Sequence, residues 1–161
     1  RSIPTAKGRL NVFVIDDATA SLEVSVEDGL FHRIKPLLVE DELVVVLARA
    51  QVDRRTGQWR ISLVDAMNLA QARCKFGKYL KISLNQTTPL LPDFLRNSIK
   101  QNSVEKRDSS LPKLLLRLHL NTSRSEVEFL LGDSTSVFPS DEWFASLATH
   151  VPQSQSYIVY E

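Results

Sequence analysis

The stretch RLNVFVIDDATASLEVSV, residues 9–26, predicts two β-strands joined by a tight polar turn. Apolar residues fall on both faces of the strand 10–15, which indicates a strand that is covered on both sides or curls into a small barrel. Asp16 and Asp17 supply short polar side chains that bond nearby backbone groups in turns. Residues 22–27 then alternate apolar and polar, as a half-buried strand does. The stretch therefore predicts the start of a strongly bent meander.

The composition allows one domain or two small ones and limits the partners. The chain has 161 residues, of which 43% are hydrophobic, enough for a packed core. Its net charge is only +1, so a nucleic-acid site must be a local patch. The single cysteine, Cys74, excludes an internal disulfide and suits a reducing cytosol, so we expect a cytoplasmic protein. No apolar run approaches the roughly 20 residues that span a bilayer, and no signal peptide precedes Arg1, so no membrane contact is expected. The absence of an initiator Met indicates a piece of a longer protein.

The rest of the first half predicts more strands and two short helices. Gly29 is expected to break the strand before it, and Pro36 limits the helix that follows. Gly57 is free to take a positive φ in a hairpin loop. The predicted elements are a short helix or turn at 32–38, a strand at 43–52, a hairpin loop at 53–57, a strand at 58–69 and a helix at 70–76.

The second half predicts a two-layer α/β sandwich. Ser140 has the character of a helix N-cap, followed by two acidic residues at the positive end of the helix dipole. The order βαββαβ suggests ferredoxin-like connectivity. The predicted domains are therefore 1–77 and 78–161. The elements of the second are strands at 79–84, 113–120, 125–131 and 157–160, with helices at 91–101 and after Ser140, and an exposed loop at 101–110.

The first half resembles the OB-fold domain of the bacterial replicative DNA polymerase III α subunit. The matching motifs are Ile15-Asp16-Asp17, Leu22-Glu23-Val24 and the ending Ala72-Arg73. The family's Lys-x-Gly turn is not kept strictly, because the chain has Ala6-Lys7-Gly8-Arg9 there. The second half resembles the family's extreme C-terminal, tau-binding module in its element order. The resemblance is specific over 7–84 and looser over 85–161.

The resemblance implies a fold class of β barrel plus α/β: an OB-fold with its first strand largely missing, then the βαββαβ sandwich. Only four barrel strands are predicted, so we expect strands 9–15 and 43–52 to have unpaired edges. It also implies the C-terminal fragment of a DNA-directed DNA polymerase. The family's catalytic carboxylates would lie upstream, so this fragment is expected to carry no catalytic residue, metal or cofactor.

For the first domain the resemblance implies binding of single-stranded template DNA. An OB-fold clamps nucleic acid with its first-second and fourth-fifth strand loops, here 5–8 and 53–57. Basic groups flanking an aromatic ring suit a sequence-tolerant groove, because they combine phosphate neutralisation with base stacking. Trp59 shares a strand face with Ile61 and Leu63, which favours the core over stacking. The candidate residues are Lys7, Arg9, Arg54, Arg55, Trp59 and Arg60.

For the second domain the resemblance implies docking to the clamp-loader tau subunit. Phe144 is expected to fill the core, whereas the position of Trp143 is left open. The tail QSQSYIVYE has a faint similarity to sliding-clamp-binding peptides, but 157–160 reads better as a strand. The candidate partner-binding residues are Trp143, Tyr157, Ile158 and Tyr160.

Other chemistry has little support in the sequence. Adjacent Asp16 and Asp17 on a strand would point to opposite faces, so they do not predict a metal site. His32, His119 and His150 have no partner at metal-ligand spacing. Cys74 lacks a neighbouring base and reads as a core residue. Two alternatives remain: an OB-fold anticodon-binding (tRNA) module of a ligase, and a free-standing hydrolase using the Asp pair and a histidine. The α/β sandwich argues against the first and the geometry against the second.

Overall fold

The computed structural model describes residues 1–6, 8–54, 56–86, 88–104 and 113–160, and of residues 99–104 the backbone alone. The chain divides into two compact units, Arg1–Asn68 and Leu69–Glu161. This division lies before the predicted boundary at residue 77, because the intervening helix packs with the second unit. In that helix Arg73 donates a hydrogen bond to the Pro139 carbonyl oxygen at 2.9 Å.

The first unit is a five-stranded sheet with one helix. Its strands lie in the order β1-β2-β3-β5-β4, and every neighbouring pair is antiparallel except β3 and β5. The elements are β1 (Ser2–Thr5), β2 (Gly8–Asp16), β3 (Ser21–Glu27), α1 (Asp28–Ile34), a 3₁₀ turn (Lys35–Leu37), β4 (Val45–Val52) and β5 (Trp59–Met67).

The prediction of four strands and an unpaired edge on residues 9–15 is wrong. Ser2–Thr5 pairs with β2 along Gly8–Asn11, so the short N-terminal segment provides the fifth strand. The prediction for 43–52 holds in part, since β4 pairs with β5 alone among the described residues. No pairing joins β1 to β4 in the described part of the chain, so no closed barrel is formed there. With the second unit included, the chain is a sheet-rich α/β protein.

The turn between β2 and β3 is built by the two predicted aspartates. The Asp17 carboxylate accepts hydrogen bonds from the backbone of Thr19 at 3.0 Å and Ala20 at 2.9 Å, and from the Thr19 hydroxyl at 2.6 Å. These bonds lower the pKa of Asp17 to about 2. Asp16 accepts from the Ala18 amide at 2.6 Å. The turn interpretation is therefore confirmed.

The core of the first unit lies between the curved sheet and α1. Val24 and Val26 of β3 and Ile34 of α1 are at most 1% exposed. The helix begins at Asp28, before the predicted 32–38, and includes Gly29, which was expected only to break a strand. Asp28 also accepts a hydrogen bond at 3.1 Å from the buried Asn11 side chain of β2, which ties the start of the helix to the sheet.

The second unit is a four-stranded sheet with helices. Its sheet order is β8-β7-β6-β9, with β6 and β7 parallel and the outer pairs antiparallel. The elements are α2 (Leu69–Phe76), β6 (Gly77–Leu84), α3 (Leu90–Val104), β7 (Leu116–Asn121), β8 (Glu126–Leu130), a 3₁₀ turn (Asp133–Thr135), α4 (Asp141–His150) and β9 (Ser154–Tyr160).

The predicted order βαββαβ is observed, but the ferredoxin-like connectivity is wrong. That topology splits its parallel strands with another strand between them. Here β6 and β7, joined through α3, pair directly from Leu80↔Leu116 to Leu84↔Leu120. α3 also extends to Val104, so residues 101–104 of the predicted loop are helical, and residues 105–110 lie outside the described part.

One face of this sheet carries the core. Leu80, Ile82 and Leu116 are fully buried beneath α3 and α4, and Leu147 of α4 is 1% exposed. The predicted N-cap is confirmed, because the Ser140 side chain accepts a hydrogen bond at 3.2 Å from the Trp143 backbone amide. The cap fixes where α4 starts and hence which of its residues reach the sheet.

Gly77, where α2 meets β6, has no room for a side chain. A Cβ there would overlap the Arg73 carbonyl oxygen and lie 2.8 Å from a methyl carbon of Ile158. We expect Gly77→Ala to lower the free energy of unfolding by about 1–3 kcal/mol. Urea unfolding followed by Trp143 fluorescence, in a Trp59→Phe background, measures this. Gly132→Ala is the matched control, because nothing lies within 4 Å of its Cβ position. Equal effects of the two substitutions would contradict the close packing at Gly77.

Candidate nucleic-acid interface and partner surface

The two hairpins of the first unit pair with each other at a single register position. β3 pairs with β5 at one register position, Ser25↔Ser62. The Ser25 hydroxyl donates to the Ile61 carbonyl oxygen at 2.9 Å, and it lies 3.3 Å from the Ser62 hydroxyl. We call this contact the serine join. The strands pair nowhere else among the described residues, although Val26 and Leu63 pack beyond the join in one core.

A cleft of about 310 Å³ opens between the two hairpins. Its lining mixes polar and apolar residues and includes the buried Val12 and Val24. The β4–β5 loop contributes Asp53 and Thr56, so the predicted clamp region 53–57 borders the cavity, whereas the predicted region 5–8 contributes no lining residue. The full lining is Ile3, Leu10, Val12, Glu23, Val24, Ser25, Asp53, Thr56, Gln58, Trp59, Arg60 and Ile61.

Trp59 stands at the mouth of this cleft. The expectation that Trp59 belongs to the core is wrong, since the residue is 71% exposed. It is the first residue of β5 and pairs with Val52, itself 49% exposed, at the free end of the β4–β5 hairpin. Alternation along β5 does place it on the same face as Ile61 and Leu63, but the core does not extend that far. Its indole is therefore a large apolar surface open to solvent.

The β4–β5 loop is held in one shape beside Trp59. The Asp53 amide donates to the Gln58 carbonyl at 2.8 Å, and the Gly57 amide donates to the Asp53 carbonyl at 2.8 Å. Gly57 has the predicted positive φ, 71°. Asp53 also pairs with Arg60 at 2.9 Å. These bonds hold Asp53 in position at the border of the cleft.

The predicted basic residues are distributed unevenly around the cleft. Arg60 lines it but is neutralised by Asp53. Arg54 on the loop and Arg9 on β2 are exposed and make no ion pair among the described residues, and neither lines the cleft. Lys7 and Arg55 lie outside the described residues. Of the six predicted residues, the structure therefore brings Trp59 and Arg60 to the cleft.

Sequence reasoning missed Glu23, the carboxylate on the opposite wall. Its carboxylate receives a two-pronged hydrogen bond from the Arg1 guanidinium, at 2.9 and 2.8 Å. Glu23 precedes the buried Val24 on β3, so the alternation of the sequence places its side chain on the face opposite that of Val24. What the sequence could not show is that β5 leaves a cavity against this face.

The predicted partner-binding residues of the second unit divide into two pairs. Trp143 is 9% exposed and packs 5.6 Å from Phe94, ring to ring, while Ile158 packs on the same core. These two are therefore poorly placed to meet a partner. Tyr157 and Tyr160 of β9 are 49% and 54% exposed. β9 pairs with β6 alone in the described residues, so the two tyrosines lie on a sheet edge.

The tail is part of this sheet rather than a free peptide, as the strand interpretation predicts. Ser154–Tyr160 pairs along β6 from Leu84 to Gly77. A sliding-clamp contact through a free peptide therefore gains no support. Phe144 packs partly buried against the core, as expected.

The sheet face opposite α3 and α4 carries a polar network that the sequence did not predict. Glu128 accepts hydrogen bonds from Lys81 and from Arg117, both at 2.8 Å. The bond from Lys81 lowers the pKa of Glu128 and raises that of Lys81. The Arg117 guanidinium also lies 4.0 Å from the centre of the Tyr79 ring. Because one carboxylate pairs with both cations, these three groups together carry a net charge of only +1.

The described residues contain no group of three His, Cys, Asp or Glu side chains that could hold a metal ion. Burial raises the pKa of the Cys74 thiol to about 11, so it stays protonated at neutral pH and is a poor nucleophile. No described helix is long and apolar enough to cross a membrane.

The serine join makes a prediction about local stability. Ser25→Ala removes the donor to the Ile61 carbonyl, and we expect the opening free energy of the β5 amides to fall by about 1–2 kcal/mol. Native-state hydrogen exchange resolved by peptide measures it. Ser62→Ala is the control, since it keeps the bond from Ser25 to Ile61. If both variants exchange alike, the hydrogen bond is not what joins the hairpins.

Comparison with known proteins gives one consistent similarity, although no family model matches. The whole chain is 24% identical, over 162 residues, to DNA polymerase III subunit alpha of Escherichia coli (strain K12), and covers 14% of that protein. The counterpart from Pasteurella multocida is 25% identical over 145 residues, 89% of this chain and 12% of the relative. The counterpart from Vibrio cholerae is 30% identical over 88 residues, 54% of this chain and 8% of the relative. The chain is therefore similar, from end to end, to a short segment of DNA polymerase III subunit alpha.

Proposed function

We propose that the chain is a C-terminal segment of a replicative DNA polymerase subunit of the DNA polymerase III alpha type. The end-to-end similarity to that subunit supports this. In this proposal the first unit binds single-stranded template DNA and the second docks the clamp-loader tau subunit. In this proposal the chain is part of a DNA-directed DNA polymerase that acts in the bacterial cytoplasm. The segment contributes residues that bind DNA and tau rather than catalytic residues.

We also propose that the first unit is an OB-fold. Its five strands in the order β1-β2-β3-β5-β4 and the helix between β3 and β4 agree with the partly open Greek-key barrel of that fold. An OB-fold binds oligonucleotides across its second and third strands, between the first-second and fourth-fifth loops. The cleft has β2 and β3 as one wall and the β4–β5 loop as its border.

The exposed indole of Trp59 is the observation that carries the proposal for DNA. A ring of this size that is 71% exposed beside a cleft loses hydrophobic stabilisation in the free protein. A stacked base would recover that stabilisation, worth about 1–3 kcal/mol per base. The exposed Arg54 on the adjacent loop is free to neutralise phosphate. The anticodon-binding alternative has no such support, because the relatives described above are polymerase subunits.

Titration of a fluorescent oligodeoxycytidylate, about 12 nucleotides long, tests the first unit. We expect Trp59→Ala to weaken binding about tenfold, and Trp59→Phe, which keeps a ring, much less. Arg54→Glu should reduce the slope of log K against log salt by about 1 or more, since a phosphate contact is lost. Arg124→Glu, an exposed arginine of the second unit, is the charge-matched control. Binding that is unaffected by Trp59→Ala would overturn the assignment of the cleft.

The edge strand β9 is the proposed docking site for tau. Proteins protect exposed sheet edges with charges, prolines, bulges or shortness. β1 is short and contains Pro4, β4 carries the charged Arg49, and β8 is short with two glutamates. β9, SQSYIVY, is seven residues long without charge, proline or glycine. An edge of this kind pairs readily with an extended segment of another chain.

Replacing one side chain on each edge of the second sheet tests this assignment. We expect Tyr157→Lys to weaken binding of the full tau protein at least tenfold, because it places a charge on the docking edge. Leu130→Lys on β8, which is 62% exposed, should leave binding unchanged. Calorimetry with purified tau measures both. Loss of binding in Leu130→Lys with retention in Tyr157→Lys would assign docking to the other edge.

A further inference from the structure

We propose that the cleft of the first unit receives one unstacked base that carries an amino group, and that the Glu23 carboxylate accepts hydrogen bonds from that group. The first unit then prefers an amino-bearing base to thymine or uracil at this one position. This inference rests on the proposed binding of single-stranded DNA and adds a base preference to it.

The size and lining of the cleft suit a small planar ligand. Its volume of about 310 Å³ lies at the lower end of the range of about 300–1,000 Å³ for ligand sites. The lining combines apolar side chains, such as Leu10 and Ile61, with polar and charged ones, so it can meet both the ring and the polar edge of a base. Trp59 at the mouth offers a stacking surface. The cavity therefore offers a base both stacking and hydrogen-bonding groups.

The two carboxylates on the rim differ in their capacity to accept further hydrogen bonds. The Asp53 side chain is 18% exposed, pairs with Arg60, and also accepts from the Thr56 amide at 3.3 Å. Its bonds hold the β4–β5 loop. The Glu23 side chain is 60% exposed, and among the contacts described its two oxygens accept hydrogen bonds from Arg1 alone. Because a carboxylate offers about four acceptor positions, Glu23 retains capacity towards the cleft.

A carboxylate discriminates between bases by the polarity of their edges. Adenine, cytosine and guanine each carry an amino group that donates to a carboxylate, as cytosine N4 does to Glu and Asp in duplex recognition. Thymine and uracil have a carbonyl oxygen at the same position as the cytosine amine. The one ring donor of thymine and uracil, N3–H, lies between two carbonyl oxygens that a carboxylate repels. The acceptor positions that Glu23 retains beside Arg1 therefore favour the amino-bearing bases over thymine and uracil.

Comparison of oligodeoxycytidylate with oligodeoxyuridylate, each about 12 nucleotides long, tests the proposal at neutral pH. At ring position 4 cytosine has an amine and uracil has a carbonyl, so the ratio of the two dissociation constants reports on recognition of this edge of the base. We expect the chain to bind the cytidine oligomer about tenfold more tightly, the factor of one hydrogen bond to a charged group. Quenching of the exposed Trp59 measures both titrations, because Trp143 is buried.

Glu23→Gln should reduce this ratio to about 1, since the amide both donates and accepts and so suits either edge. Removal of the negative charge changes the affinity for both oligomers together, whereas the ratio isolates base recognition. Glu27→Gln is the matched control, because Glu27 lies on the same face of β3 but outside the cleft, and it should keep the preference. A ratio near 1 in the unmodified chain, or a ratio that survives Glu23→Gln, overturns the base preference and leaves DNA binding standing. Failure to bind either oligomer overturns both.

Discussion

The serine join is the constraint on which the arrangement of the first unit depends. Two antiparallel hairpins pair at one register position, Ser25 and Ser62, and the Ser25 hydroxyl donates to the Ile61 carbonyl. They also share the core that Val24 and Leu63 enter. A longer parallel ladder would close the space between Glu23 and Trp59. A single register position of pairing keeps the sheet continuous and leaves a cleft beside it.

The cleft explains features that otherwise conflict with burial of apolar surface. Trp59 lies beyond the join, where the core does not reach. Backbone hydrogen bonds and the Asp53–Arg60 ion pair hold the adjacent β4–β5 loop, and with it the exposed position of Trp59. The arginine that lines the cavity is neutralised, whereas Arg9 and Arg54 stand outside it. This division suits the proposed DNA ligand, in which phosphates meet cations at the periphery and a base enters the cleft between Glu23 and Trp59.

Periodicity and turn chemistry were sufficient to predict most of the elements. The Asp16-Asp17 turn, the Gly57 loop and the Ser140 cap depend on residues within a few positions, and each is observed. The errors concern long-range pairing. Alternation could not show that β6 pairs directly with β7, nor that four N-terminal residues form a strand. It assigned Trp59 to the correct face of β5, but exposure depends on what covers that face, and the core does not extend to the end of the strand.

The most direct test of this account is nuclear magnetic resonance of the two tryptophan indole N–H groups during addition of single-stranded oligodeoxycytidylate. Trp59 stands at the cleft, and Trp143 is buried in the second unit with no hydrogen-bond partner for its indole among the described residues. The account predicts a progressive shift of the Trp59 signal that saturates with DNA, while the Trp143 signal stays in place. Binding that moves Trp143 and leaves Trp59 unchanged would contradict it.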